Sequence, residues 1–182
     1  MIDVRKTITM KKNYFLLMIL VVAATLGIYS CSKSSDTIST LNVRLTDNPV
    51  AFQEVNVDIR EVKVKFSDDA SENEWLTLNT NPKVYNLLRL QGGIDTLLAT
   101  GIFPQNTVKQ LRFILGPNNT VRDNGVLYPL TIPSGSESGL KIKVDKKLGL
   151  TLETLVIDFD AALSVLKEGN GDYKLRPVLK VK

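Results

Sequence analysis

From residue 41 onward the chain alternates between apolar and polar positions. Leu41, Val43 and Leu45 share one parity and Asn42, Arg44 and Thr46 the other, the pattern of a strand with one face on a core and one in water. Asp47-Asn48-Pro49 ends it. Over residues 53–66 the phase changes partway, with Val55, Val57 and Ile59 on one parity and Val62, Val64 and Phe66 on the other. One extra residue at Arg60-Glu61 returns the apolar face to the core after a kink, as a β-bulge does. This predicts one long bent strand able to serve two sheets, or two strands meeting at a corner. Residues 67–74 form an acidic turn, and Asn79-Thr80-Asn81-Pro82 splits the short apolar segments 75–78 and 84–90. Residues 94–99 are apolar without a period. Residues 108–115 alternate again through Leu111, Phe113 and Leu115. The strongest local signal is Asp123-Asn124-Gly125 between Thr120-Val121-Arg122 and Val126-Leu127-Tyr128, because Asn-Gly supplies the positive φ angles of a type I′ hairpin. Leu140, Ile142 and Val144, and then Leu155, Ile157 and Phe159, mark two more strands. Residues 160–168 read as a helix of about two turns, capped by Asp160 and left at Gly169. A final strand follows through Tyr173, Leu175, Pro177, Leu179 and Val181, and Pro177 requires it to sit at a sheet edge or to present that position outward. The pattern predicts an all-β fold, an antiparallel β-sandwich of Greek-key, immunoglobulin-like or transthyretin-like type, with one short helix before the last strand.

The stretch ahead of this pattern is of another kind. Lys11 and Lys12 precede an apolar segment that spans 16 residues from Tyr14 to Tyr29, followed by Ser30 and Cys31, the one cysteine of the chain. A spanning helix needs about 20 apolar residues, so the order of charge, apolar run and small residue predicts a removed secretory signal. The ending resembles a bacterial lipobox: Ser30 stands before the cut, Ile28 is the aliphatic residue three before it, and Cys31 takes the lipid. Met10 with Lys11 and Lys12 makes a complete n-region, so translation from Met10 gives the same product. The expected organisation is a lipoprotein signal peptide over residues 1–30, a flexible Ser/Thr-rich tether over 31–40 and a sandwich domain over 41–182.

Charge changes the picture little once the leader is set aside. The chain carries +4 overall, but Arg5, Lys6, Lys11 and Lys12 against Asp3 account for +3 of it, leaving +1 on the 152 residues from Cys31. A nearly neutral domain is a poor nucleic-acid binder. The chain has no histidine, which excludes Ser/His/Asp and Cys/His catalysis and His-based zinc sites. No cofactor motif is present: Gly135 and Gly139 lack the Gly-Lys-Ser/Thr ending of a phosphate loop.

The chemistry on offer is therefore carboxylate chemistry. Asp47 follows the first strand, Asp58 lies in the long one, and Asp158 and Asp160 are two apart, so that both point to one face of a strand, near enough to share a calcium ion with loop carbonyls. The simpler reading is that Asp160 caps the helix and Asp158 pairs with a basic side chain of a neighbouring strand. Trp75 is a candidate for stacking on a sugar ring, or else a core or edge residue. Lys141, Lys143, Lys174, Arg176 and Lys180 alternate out of two strands and are read as one solvated basic face. No acid, base or nucleophile constellation assembles, so a non-catalytic module is expected.

Several blocks in order resemble a known family: Leu45-Thr46-Asp47-Asn48-Pro49, Glu54-Val55-Asn56-Val57-Asp58-Ile59, Asn86-Leu87-Leu88, Gln110-Leu111-Arg112-Phe113, Asp158-Phe159-Asp160-Ala161 with Ser164-Val165, and Leu175-Arg176-Pro177-Val178. Together they are similar to Bacteroidota lipoproteins carrying domain of unknown function 4382. The resemblance implies an extracytoplasmic β-rich domain, often lipid-anchored, and no catalytic residues. The expectation is a lipid-anchored cell-envelope lipoprotein of the outer membrane, held there through Cys31, with an envelope glycan or protein as partner. The alternatives are an adhesin-like subunit that associates by strand addition and a calcium-dependent glycan-binding module.

Overall fold

The computed structural model describes residues 38–104, 106–133, 139–149 and 151–182. The expected signal peptide, the expected cleavage and lipidation pair Ser30 and Cys31, the expected tether up to residue 37 and most of the 132–139 loop lie outside the described residues.

Two mixed sheets pack into an all-β sandwich. The first contains β1 (Ile38–Thr46), β4 (Asn79–Thr80), β6 (Thr96–Pro104), β11 (Leu152–Phe159) and β14 (Leu179–Val181), in the order β14-β11-β1-β6-β4. The second contains β2 (Glu54–Lys65), β7 (Thr107–Leu115), β8 (Thr120–Asp123), β9 (Val126–Thr131), β10 (Leu140–Lys147), β12 (Val165–Lys167) and β13 (Tyr173–Leu175). Its order is β10-β7-β2-β8-β9-β13-β12, and β3 (Leu76–Thr77) and β5 (Lys83–Asn86) also pair with β2. Leu41, Val43 and Leu45 of β1 and Ile157 and Phe159 of β11 are fully buried, as are Val55, Val57, Ile59, Val62 and Val64 of β2 and Leu111 and Phe113 of β7. Each such side chain contributes about 1.5–3 kcal/mol by leaving water.

The bulge is where the change of phase puts it. Register between β2 and β7 shifts between Ile59 and Glu61, with Arg60 turned out to solvent. The long strand stays in one sheet, however: its first half pairs with β5 and β8 and its second with β3 and β7. The hairpin also forms as expected, Asp123 facing Val126 across Asn124 (φ 49°) and Gly125 (φ 79°).

Four expectations are corrected. The sheets are not purely antiparallel, since β1 runs parallel to β11 and β13 parallel to β9. The first strand begins at Ile38, so residues 38–40 belong to the sheet and not to the tether. The helix is a single turn, α1 (Ala161–Ser164), after which Val165–Lys167 forms β12 and pairs with β13. Pairing with a neighbouring strand overrides local helix preference there. The final strand is split at residues 176–178: β13 belongs to the second sheet and β14 crosses to the edge of the first. Pro177, which has no N–H to donate, sits in the crossover.

Candidate functional site

The parallel pairing of β1 with β11 places Thr46 opposite Asp158. It thereby brings Asp47, Asp158 and Asp160 to one end of the first sheet, where the chain leaves both strands. The single Thr46 hydroxyl proton is shared between the carbonyls of Leu90 (2.9 Å) and Ile94 (2.8 Å), and the Asp47 N–H also donates to Leu90, which docks a 3-10 turn at Leu87–Leu90 against this end. Asp47 is 2% exposed; its Oδ1 accepts from the Ala161 N–H at 2.9 Å and its Oδ2 from Gln91 Nε2 at 3.2 Å. Burial pushes the Asp47 carboxyl above its ordinary pKa, against the hydrogen bonds from Ala161, Gln91 and Asn48, and the nearby Asp158 adds to the rise.

Asp158 is also 2% exposed. Its Oδ2 accepts from Asn48 Nδ2 at 2.6 Å and lies 3.5 Å from Lys182 Nζ, while its buried Oδ1 has no hydrogen-bond partner among the described residues. Asp160 caps α1, its Oδ1 accepting from the Leu163 N–H at 3.1 Å, and its Oδ2 pairs with Lys180 Nζ at 3.0 Å. Burial alone pushes the Asp160 carboxyl up, and Lys180 with the Leu163 N–H outweighs it, so the net direction is down. The structure sides with the simpler reading: Asp160 is a cap, and Asp158 meets Lys182, one residue beyond the neighbouring strand β14.

Asp58 is not part of this group. It lies fully buried in β2, where its Oδ2 accepts from Arg60 Nη2 (2.8 Å), Asn118 Nδ2 (3.1 Å) and the Asn118 N–H (3.2 Å). Its backbone is fixed as well, by Asn119 Oδ1 on its N–H and the Gly116 N–H on its carbonyl. Asp58 therefore anchors the 116–119 turn to the sheet. Among the described residues no three His, Cys, Asp or Glu side chains group so as to hold a metal ion.

Trp75 stands just before β3, partly buried, with the Arg112 guanidinium carbon 4.2 Å from its ring centroid and Lys65 Nζ 5.9 Å away. One ring face is thus covered by a cation of the protein itself. Lys65, 1% exposed, is held by the Asp69 carboxylate and by the carbonyls of Asp69 (3.0 Å) and Ser71 (2.6 Å), and Glu72 pairs with Arg112. The acidic 67–74 turn is therefore strapped over two cations. The basic residues expected on one face are dispersed, since Lys141 and Lys143 lie on β10 at one end of the second sheet, Lys174 on β13 near the other, and Lys180 in the first sheet.

Sequence reasoning passed over an open groove of about 400 Å³ beside β5, lined by Glu54, Asn56, Lys83, Tyr85, Asn86 and Arg89 among others. Lys83 Nζ lies 4.8 Å from the centroid of the Tyr85 ring, and neither Lys83 nor Arg89 forms an ion pair among the described residues. The Asn56 and Arg122 side chains, with a smaller contribution from Arg89, hold the Glu54 carboxyl below its usual range, so the groove combines a fixed anion with two exposed cations. The short apolar segment at 84–90 was visible, but not that β5 would pair with β2.

Residues 38–177 match the family described as domain of unknown function (DUF4382). The chain belongs to this family. The match covers the sandwich from the first residue of β1 to the crossover before β14, and so includes all four aspartates and Trp75. No curated protein and no solved structure matches the chain. Among the described residues of this DUF4382 chain, no helix is long and apolar enough to cross a membrane.

Proposed function

We propose that the chain is a lipoprotein of the Bacteroidota cell envelope, anchored to the outer membrane through lipid on Cys31, whose sandwich is a non-catalytic binding or structural module. The observation that carries this reading is the N-terminal order of two lysines, a 16-residue apolar segment, Ser30 and a lone Cys31. The fate of the carboxylates supports the second half. Asp47 and Asp160 hold backbone donors, Asp58 holds a turn, and Asp158 meets Asn48 and Lys182. Groups committed to such partners are struts, since a general acid or base must present a free, poised proton site to a cleft. The open groove beside β5, with the exposed cations Lys83 and Arg89 in its lining, supports a small polar or anionic ligand as what the module binds.

Metabolic labelling with a palmitate analogue tests the anchor. The wild-type chain is expected to take the label and to float with outer-membrane fractions, and Cys31→Ala to take none and to leave the membrane after export. Label in both chains, or in neither, overturns the assignment.

A further inference from the structure

We infer that the end of the first sheet that carries Ile38 rests on the surface of the bilayer, so that the domain is docked there and not suspended above it. The inference depends on the reading of Cys31 as the lipidated residue.

The outer face of the first sheet carries its most exposed apolar side chains at one end. Thr40 pairs with Ile102 on one side and Leu152 on the other, and Ile38 pairs with Pro104. Residues paired across neighbouring strands point to the same side of the sheet. Ile38, Ile102 and Leu152 therefore form one cluster, and they are 58%, 67% and 56% exposed. Further along the same face the paired positions are Asn42, Thr100 and Thr154, and then Arg44 between Leu97, 41% exposed, and Val156. Large adjoining apolar side chains left in water mark a contact surface. Phe103, next to Ile102, turns inward and packs edge-on against Phe66 at 5.1 Å between centroids, so the end beneath the cluster is closed.

What says that lipid covers this end is where the chain arrives. The sheet begins at Ile38, seven residues after Cys31, and seven residues fully extended reach about 25 Å at most. An acyl chain on Cys31 then holds this end of the sandwich within that distance of the bilayer at all times, and a tethered surface acts at high effective concentration. A few apolar side chains suffice under that condition, whereas a second copy of the chain enjoys no such proximity. β10 ends at the same pole with Lys147, exposed and without an ion pair among the described residues, while the acidic 67–74 turn leaves the end of β2 nearby, so the apolar cluster and not charge carries the contact. The Asn124-Gly125 hairpin lies at the opposite pole, because β7 begins at the Ile38 pole beside the end of β2, whereas β8 and its hairpin pair with the start of β2.

The test uses the full chain, processed and lipidated in cells, carrying Ile102→Cys or Leu152→Cys and labelled there with an environment-sensitive fluorophore. Cys31 does not react when its sulfur is a thioether. The proteins are reconstituted into phosphatidylethanolamine and phosphatidylglycerol vesicles with brominated acyl chains, beside a Val126→Cys control at the far hairpin. Docking predicts about threefold stronger quenching at 102 and 152 than at 126. Equal quenching at all three sites, with palmitate present on Cys31, overturns the docking and leaves the anchor intact. Cross-linking between copies through residue 102 without lipid quenching assigns the face to self-association and overturns it too. A chain without palmitate overturns the anchor reading and the docking with it.

Discussion

Replacing Asp47 by alanine and by asparagine separates a strut from a metal ligand. Alanine leaves the Ala161 N–H, on a fully buried residue, without an acceptor and releases Gln91, which is half-exposed and can turn to water. An orphaned buried donor costs about 1–3 kcal/mol, and relief from burying a carboxylate offsets part of it, so the net loss is about 1–2 kcal/mol. Asparagine keeps an oxygen toward Ala161, and Gln91 can present its own oxygen to the new amide, so D47N stays close to wild type. The pH dependence carries a sign. Burial raises the Asp47 carboxyl, so the native state holds this proton more tightly than the unfolded state. Its favourable contribution is complete below the ordinary carboxylate range and is lost as pH rises through the raised value. D47N lacks that loss and gains on wild type between acid and neutral pH. Urea unfolding followed through Trp75, the one tryptophan, measures all three chains. With about 1–3 kcal/mol per molar urea, D47A should shift the midpoint by roughly 1 M. An unchanged midpoint for D47A, a D47N-to-wild-type difference that does not vary with pH, or a melting temperature raised by calcium and lost with D47A refutes the reasoning.

Gly116→Ala puts a methyl group inside the contact distance of Asp58 Oδ2 and 2.6 Å from Arg60 Nε, so it should cost about 1–3 kcal/mol in the same unfolding assay. Lys65→Met removes the ammonium that holds the carbonyls of Asp69 and Ser71; limited proteolysis should then cut within residues 67–74 at least several-fold faster while the sandwich survives. An unaltered cleavage rate would show that the strap is held by Arg112 and Lys141 on Glu72 instead.

The features legible in the sequence are those whose cause is local. The bulge at Arg60 follows from the parity of six apolar residues, and the hairpin at Asn124-Gly125 from the backbone freedom of two. β6 was illegible for an equally physical reason. Ile102 points out where alternation would place a polar residue, Gly101 is close-packed against Leu78 and Phe103, and Pro104 ends the strand, so no period survives. The helix was overread because Val165–Lys167 has tolerable helix propensity by itself, and only the presence of β13 makes it a strand. Of the candidate site, the chemical identity of Asp47, Asp158 and Asp160 was visible, but their meeting depends on a parallel pairing between residues more than 100 positions apart. Pattern alone cannot choose that partner, since every half-buried strand presents the same face to every other.

The spacing of Asp158 and Asp160 that suggested a shared ion has another physical use, and the last strand supplies it. β14 lies antiparallel to β11 with Lys180 opposite Asp158 and Val181 opposite Ile157. Lys180 reaches Asp160 and Lys182 reaches Asp158, and the Lys182 N–H donates to the Val156 carbonyl at 3.0 Å. Both lysines are about half exposed, so neither pair adds much stability. Their effect is on register: a slip of one residue would turn both ammonium groups toward the core and Val181 toward water. Just ahead of it the backbone is pinned as well, since the Val178 N–H donates to Ser164 Oγ (2.8 Å) and its carbonyl accepts from the Asp160 N–H (3.0 Å), but within the strand Leu179 is only partly buried and Val181 is 38% exposed. Two carboxylates on one face therefore key a short terminal strand to its neighbour. The same i, i+2 geometry that would gather an ion gathers instead the alternate lysines of the chain's own final strand.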